Sequence, residues 1–214
     1  MARDDVLDSL VEIAGEQGGY VAAGQAARLG IERSRLARLT ESGDLRRVRW
    51  GVYAMRHAHH RLEAEIGAWL SVDRERLPWE RNDVAVAVLS HATAAAIREL
   101  GTVIPGVPVV TVPPERRSAT RGKDIELHVA SLAPEDWNWV RVEDIQLPVT
   151  SAARTIVDLT LAGEELSYVE RAIAEAVARE GMTETELIDA AARRKSRTAG
   201  LVARLRRLSQ DLTP

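Results

Sequence analysis

Between Gly24 and Arg56 the chain places eight arginines, at positions 28, 33, 35, 38, 46, 47, 49 and 56, against three carboxylates, Glu32, Glu41 and Asp44. That local excess of five positive charges (eight less three) sits in a chain whose net charge is −3. A guanidinium presents a planar fork of N–H donors that fits phosphate oxygens and the guanine edge. The chemistry this composition implies is electrostatic recognition of nucleic acid rather than bond making.

The spacing around these arginines defines the elements that hold them. GGYVAAGQAARLGIERSRLARLTESGDLRRVRWGVYAMR, residues 18–56, reads as a winged helix-turn-helix. A short helix from Gly24 to Leu29 stops at Gly30, and a second from Glu32 to Ser42 stops at Gly43. A strand from Leu45 to Val48, a turn at Arg49-Trp50-Gly51 and a strand from Val52 to Met55 form the wing. In such a unit the second helix enters the major groove and its N-terminal residues reach base edges. Ile31, Leu36 and Leu39 are the core anchors, which leaves Arg33, Ser34, Arg35 and Arg38 facing the groove. On the wing, Leu45 and Val48 point inward while Arg46, Arg47 and Arg49 project, and Arg47 and Arg49 are assigned to the DNA. Arg49 is assigned to the backbone or a narrow minor groove. Trp50 is read as a cover for the hairpin; stacking on a sugar is the other reading.

Other polar residues invite catalytic or metal readings and do not support them. His57, His59 and His60 crowd into one loop without a carboxylate pair and read as exposed linker residues. Ser90-His91 reads as a helix N-cap followed by a first-turn histidine, with side chains pointing apart. Asp124 and Glu126 have the spacing of half a nuclease centre, but Leu127-His128 follows where a lysine would be needed. Arg154 and Asp158, one helical turn apart, read as an intrahelical ion pair. The chain has no cysteine, which removes thiolate metal sites, disulfides and a cysteine nucleophile. The expectation is a non-enzyme without metal or cofactor.

The rest of the chain supplies the frame. Val6, Leu7, Leu10, Val11 and Ile13 recur at helical spacing, so residues 3–17 form a first helix. Tyr20-Val21 adds a short strand beside the wing. Arg61 to Val72 is an amphipathic helix, and Ser90 to Leu100 another. Val107 to Val112 is a strand that its flanking prolines place near an edge. Ile125 to Val129 and Trp139 to Leu147 supply further strands, the last closed by Pro148. Helices follow at 151–161, 166–180, 183–193 and 198–210, the third opened by the capping box Thr183-Glu184-Thr185-Glu186. The fold class is α+β: a winged helix-turn-helix domain at 1–58, then a mixed α/β domain at 62–214 with a small sheet and several helices. Residues 62–160 carry ten basic and fifteen acidic side chains, which argues against a second broad nucleic-acid surface there. Residues 190–210 hold seven basic residues and no acid. That last helix suits contact with DNA or an acidic partner, and equally a solvated cationic face. The acidic N-terminus does not resemble a signal peptide, and no run is long enough to span a membrane. Cytoplasmic residence is expected.

Residues 18–55 resemble the N-terminal winged-helix domain of the AbiEi family of antitoxins from bacterial type IV toxin–antitoxin, or abortive-infection, systems. VLSHATAAAIREL, VVTVPPERR and LPVTSAARTIVDL are similar to that family's C-terminal region. The resemblance implies a protein that binds inverted repeats in double-stranded DNA of its own promoter, represses its operon, and counters a co-encoded nucleotidyltransferase-like toxin. Carried over by position, Arg33, Ser34, Arg35, Arg38, Arg47 and Arg49 are the residues expected to meet DNA. Trp50 stands where a polar residue is more usual. Two alternatives stay open: a stand-alone regulator whose C-terminal part senses a ligand, with Trp137 and Trp139 lining a pocket, and a variant of a related nuclease-bearing group that keeps only DNA binding.

Overall fold

A computed structural model describes residues 3–82, 84, 86–117, 123–194, 203, 206 and 207. The basic final helix expected at 198–210 lies almost wholly outside the described residues.

The N-terminal helices follow the apolar spacing. Helix α1 (Arg3–Gly15) buries Val6, Leu10 and Ile13. Strand β1 (Tyr20–Ala22) leads into α2 (Ala23–Arg28) and α3 (Arg33–Glu41). Gly30 and Gly43 take positive φ of 76° and 75° after the two helices, conformations that glycine enters without a Cβ clash. Ile31, Leu36, Leu39 and Leu45 join α1 in one apolar cluster. Strands β2 (Leu45–Arg49) and β3 (Val52–Met55) make the wing, and β1 pairs antiparallel with β3 to give the sheet order β1-β3-β2.

Helix α4 (Glu63–Val72) lies between this sheet and a second one. The second sheet has the order β6-β5-β4-β8-β7, built from β4 (Val88–Leu89), β5 (Val109–Val112), β6 (Glu126–Val129), β7 (Trp137–Val142) and β8 (Ile145–Thr150). Tyr20, Ala22, Val52 and Ala54 from the first sheet, Ile66, Trp69 and Leu70 from α4, and Leu89, Val110, Val112, Leu147 and Val149 from the second share a single core. Helix α5 (His91–Arg98) meets β5 and β8 and adds Ala94 and Ile97 to this core, and it packs with α6 (Ala152–Ala162), α7 (Leu166–Glu180) and α8 (Glu184–Arg193) in a further cluster around Ile156, Leu159, Val169, Ile173 and Leu187. Thr183 accepts from the Glu186 N–H, as the capping box requires. The architecture is α+β.

One strand reading holds and one changes. β5 lies second from the edge, paired on one side with β4 and on the other with β6. Pro108 and Pro113 sit just outside its four residues, so no proline interrupts the ladder. Pro148 does not close the hairpin but stands inside β8, opposite Trp139. The strand tolerates it because β4 meets β8 only at Leu89–Val149.

Candidate nucleic-acid interface

Helix α3 buries Leu36 and Leu39 and turns Arg33, Ser34, Ala37, Arg38 and Glu41 to solvent. The period of the helix separates the two sets. Arg35 is half-buried, and its Nε is enclosed with no hydrogen-bond partner. Ser34 Oγ donates to Glu32 Oε2 at 3.3 Å. The Arg33 guanidinium stands over the Trp50 ring, 5.7 Å from its centroid, a cation–π contact between the start of α3 and the wing tip. Trp50 itself is 66 % exposed, so it does not cover the hairpin core.

The wing departs from simple alternation. Leu45 points into the core beside α3, and Arg46 points to the other face. There it bonds both carboxylate oxygens of Glu63 on α4, at 2.8 and 2.5 Å, and the Ala58 carbonyl at 3.2 Å. Arg46 therefore does not project as the pattern suggests. Tyr20 donates its hydroxyl to the same Glu63 at 3.0 Å, and burial, then that carboxylate, pushes its pKa up to about 12. Arg47 opposes Tyr53 and is exposed. A register shift follows between Arg47 and Arg49. This bulge sends Val48 and Arg49 to the same side, where both approach Gly67 of α4. The Arg49 side chain keeps only 12 % of its exposure and donates to Asp124 at 2.9 Å. The alternation that assigns Arg47 and Arg49 to one face is broken by one inserted residue, and Arg49 leaves the exposed set.

Ion pairing sorts the remaining arginines. Arg28 is held by both oxygens of Glu80, Arg46 by Glu63, Arg49 by Asp124 and Arg56 by Asp44. Among the described residues, no carboxylate pairs with Arg33, Arg35, Arg38 or Arg47. The four unneutralised guanidiniums of this unit thus lie on α3 and the outer face of β2.

Two of them, Arg33 and Arg47, border a cleft of about 660 Å³ lined also by Ala23, Gly24, Ala27 and Arg28 of α2, the wing residues Trp50, Gly51 and Tyr53, and Ser71, Arg74 and Glu75 at the end of α4. The sequence reading missed Arg74. Nothing in its neighbourhood marks it, because only the fold brings the end of α4 alongside α2.

The other polar candidates resolve differently. His57 and His59 are exposed, but the His60 side chain is 1 % exposed and sits near Glu143 (3.2 Å) and Asp144 (4.0 Å). These three could be taken for a metal site. However, the Leu62 N–H donates to His60 Nδ1 at 3.0 Å, so the ring proton belongs on Nε2, facing Glu143 and the Val142 carbonyl. A nitrogen that carries a proton offers a cation no lone pair, and the trio does not fit a metal. Ser90 and His91 do not point apart: Ser90 Oγ lies 3.0 Å from His91 Nδ1 and accepts from Thr111 Oγ1 at 2.8 Å. A left-handed φ of 53° at His91 bends the ring back onto Ser90, and Ser90 makes no side-chain cap. Ser90 is fully buried, which leaves its hydroxyl inaccessible to a substrate. Arg154 does pair with Asp158, at 2.9–3.0 Å, and a second carboxylate, Asp136, takes its Nη1 at 3.1 Å. Asp136 also accepts from Arg193 at 2.8 Å. Trp137 and Trp139 stack edge-on with each other, and Trp139 does so with Trp69. The three rings pack against one another in the core beside α4.

Residues 8–56 match the model of a family described as "Transcriptional regulator, AbiEi antitoxin". The crystal structure of the Rv2827c protein from Mycobacterium tuberculosis is similar in fold, with a TM-score of 0.54 at 14% sequence identity, over 96% of this chain and 80% of that one. No curated protein matches. No helix among the described residues is long and apolar enough to cross a membrane.

Proposed function

We propose that this protein is a DNA-binding repressor of its own operon, acting on promoter inverted repeats, and that it counteracts a co-encoded nucleotidyltransferase-like toxin. The observation that supports DNA binding most directly is the pairing pattern. Among the described residues, Arg33, Arg35, Arg38 and Arg47 have no carboxylate partner, while every other arginine from Arg28 to Arg56 has one. Phosphate neutralisation with counterion release needs such free cations. The similarity of residues 8–56 to AbiEi antitoxin regulators supports the regulatory and antitoxin parts. Arg35 and Arg38 are assigned to base edges and Arg47 to the backbone, with Ser34 at the groove-facing surface between them.

The test is binding to a duplex covering the region upstream of the gene, against a shuffled duplex of the same composition. The double variant Arg35→Ala, Arg38→Ala loses the preference for the upstream duplex, at roughly 1–3 kcal/mol per bidentate base contact. If this variant distinguishes the two duplexes as well as the parent does, α3 is not the reading helix.

A further inference from the structure

We infer that the cleft between α2, the wing and the end of α4 is a phosphodiester site, which takes one DNA strand and holds it with Arg33, Arg47 and Arg74. This rests on the DNA-binding reading above. It adds a residue outside the winged helix and moves Arg33 from base reading to backbone holding.

Three arginines line the cleft from three separate parts of the fold: Arg33 at the start of α3, Arg47 on β2 and Arg74 just beyond α4. Among the described residues, Arg33 and Arg47 have no carboxylate partner, and Arg74 has only its exposed chain neighbour Glu75 at 3.6 Å. The fourth arginine in the lining, Arg28, is committed to Glu80. The cleft therefore holds three weakly compensated positive charges against one carboxylate, Glu75. Its walls also carry Trp50, Tyr53, Ala23 and Ala27, apolar surface suited to a deoxyribose between two phosphates.

Arg74 is fixed there by the fold. Residues 74–80 run along α2. Gly24 lets the Arg74 carbonyl approach so closely that a Cβ would lie 2.5 Å from it. Gln25 Nε2 donates to the Arg76 carbonyl at 2.7 Å, Arg28 Nη1 donates to the Glu75 carbonyl at 3.3 Å, and Arg28 clasps Glu80. This segment is tied to the helix-turn-helix at four points, and its one outward-facing cation is at the cleft rim. Arg33 is fixed by the Trp50 ring. That contact draws it toward the wing and away from the exposed face where Arg38 stands.

The experiment measures binding of the full-length protein to the upstream and shuffled duplexes over a range of salt concentrations. For Arg74→Ala and for Arg33→Ala, the slope of log K against log salt is expected to shallow by about 0.9 per lost phosphate contact. The ratio of affinities for the two duplexes is expected to stay unchanged. Arg74→Lys keeps the charge and restores most of the slope. Arg74→Ala with an unaltered slope overturns the cleft as a phosphate site, even while the parent still binds DNA. Arg33→Ala that collapses the affinity ratio returns Arg33 to base reading and overturns its assignment here. A parent protein that binds neither duplex removes the DNA-binding reading itself, a distinct outcome.

Discussion

Arg49 donates to Asp124 across 2.9 Å, joining the tip of the wing to the residue two before β6 in the second sheet. The bulge that precedes Arg49 makes the contact possible, by turning a residue of the outer wing face toward α4. Arg47 and Arg49 thus separate in role although two positions apart on one strand. Arg47→Ala is expected to shallow the salt dependence of DNA binding by about 0.9. Arg49→Ala is expected to leave that slope alone and to lower stability instead. Asp124 is 65 % exposed, so the loss is about 1 kcal/mol or less, read as a fall of roughly 2–4 °C in Tm for a chain of this size. Equal slopes in the two variants would return Arg49 to the DNA-facing set.

Arg154 and Asp158 form a buried pair, 1 % and 0 % exposed, with Asp136 as second acceptor. Removing one partner leaves an uncompensated charge in the interior, a cost of about 3–5 kcal/mol. Asp158→Ala is therefore expected to lower the urea midpoint severely. The double variant Arg154→Met, Asp158→Leu removes both charges and is expected to recover much of the loss. If the single variant unfolds at the parent midpoint, Asp136 alone suffices to hold Arg154.

His91 and His128 lie in ring contact, 4.6 Å between centroids, beneath α6. Burial pushes the His91 pKa down from 6.5 to about 4; His128, Arg194 and Arg154 push the same way, and Asp158 opposes them. The His128 pKa is lowered too, by burial first and Arg194 second. Each ring is neutral in the fold, while the unfolded chain takes up protons as pH drops through 6.5. Their contribution is complete above pH 6.5 and is lost as pH falls toward the folded values. Urea unfolding as a function of pH is expected to show stability declining between 6.5 and 4, with a shallower decline in His91→Gln. Identical profiles for parent and variant would mean that His91 titrates like a free imidazole.

Gly24 offers a sign test. Within a helix, Gly→Ala ordinarily stabilises by about 1 kcal/mol. Here the new methyl would meet the Arg74 carbonyl oxygen at 2.5 Å, and backbone cannot yield as a flexible side chain does. Gly24→Ala is expected to destabilise, with thermal unfolding as the readout. A raised Tm would show that the end of α4 shifts freely against α2, and that Arg74 is not held at the cleft.

Much of this was legible before the structure. Leu36 and Leu39 mark the inner face of α3 by their spacing, and Thr183 with Glu186 marks the start of α8 through a local hydrogen-bond exchange. Periodicity and capping are short-range, so a sequence displays them. Leu45 and Val48, three apart, already break strict alternation in LRRVR, but on where the extra residue of the bulge falls, and so on which arginine turns inward, the sequence is silent. The positive φ at His91, which folds the ring onto Ser90, is equally silent. Arg74 was missed for a longer-range reason: its role depends on α4 running between two sheets and returning beside α2. The candidate site was visible where it is local to the helix-turn-helix and invisible where tertiary contact recruits or withdraws a residue.

The antitoxin part of the proposal can be separated from the repressor part within the full chain. The two sheets share one core through Ile66, Trp69 and Leu70 of α4. Deleting residues 1–61 would strip Tyr20, Ala22, Val52 and Ala54 from that core and expose one side of α4, so a truncated chain is a poor probe. Substituting exposed or half-exposed arginines leaves the core intact. Arg35→Ala, Arg38→Ala, Arg47→Ala removes three cations that no carboxylate among the described residues holds. It is expected to change stability by no more than about 0.5 kcal/mol per surface site. In a bacterial host expressing the neighbouring toxin gene, with this protein supplied from an independent promoter, the triple variant is expected to rescue growth as the parent does. In the same host it is expected to lose repression of a reporter fused to the native promoter. The reason is area: the winged helix ends at Met55, and the second sheet with α5–α8 presents a surface that DNA binding through α3 does not use. Rescue that disappears together with DNA binding would mean that the protein acts only by silencing transcription, and the antitoxin role of the second sheet and its helices would fall.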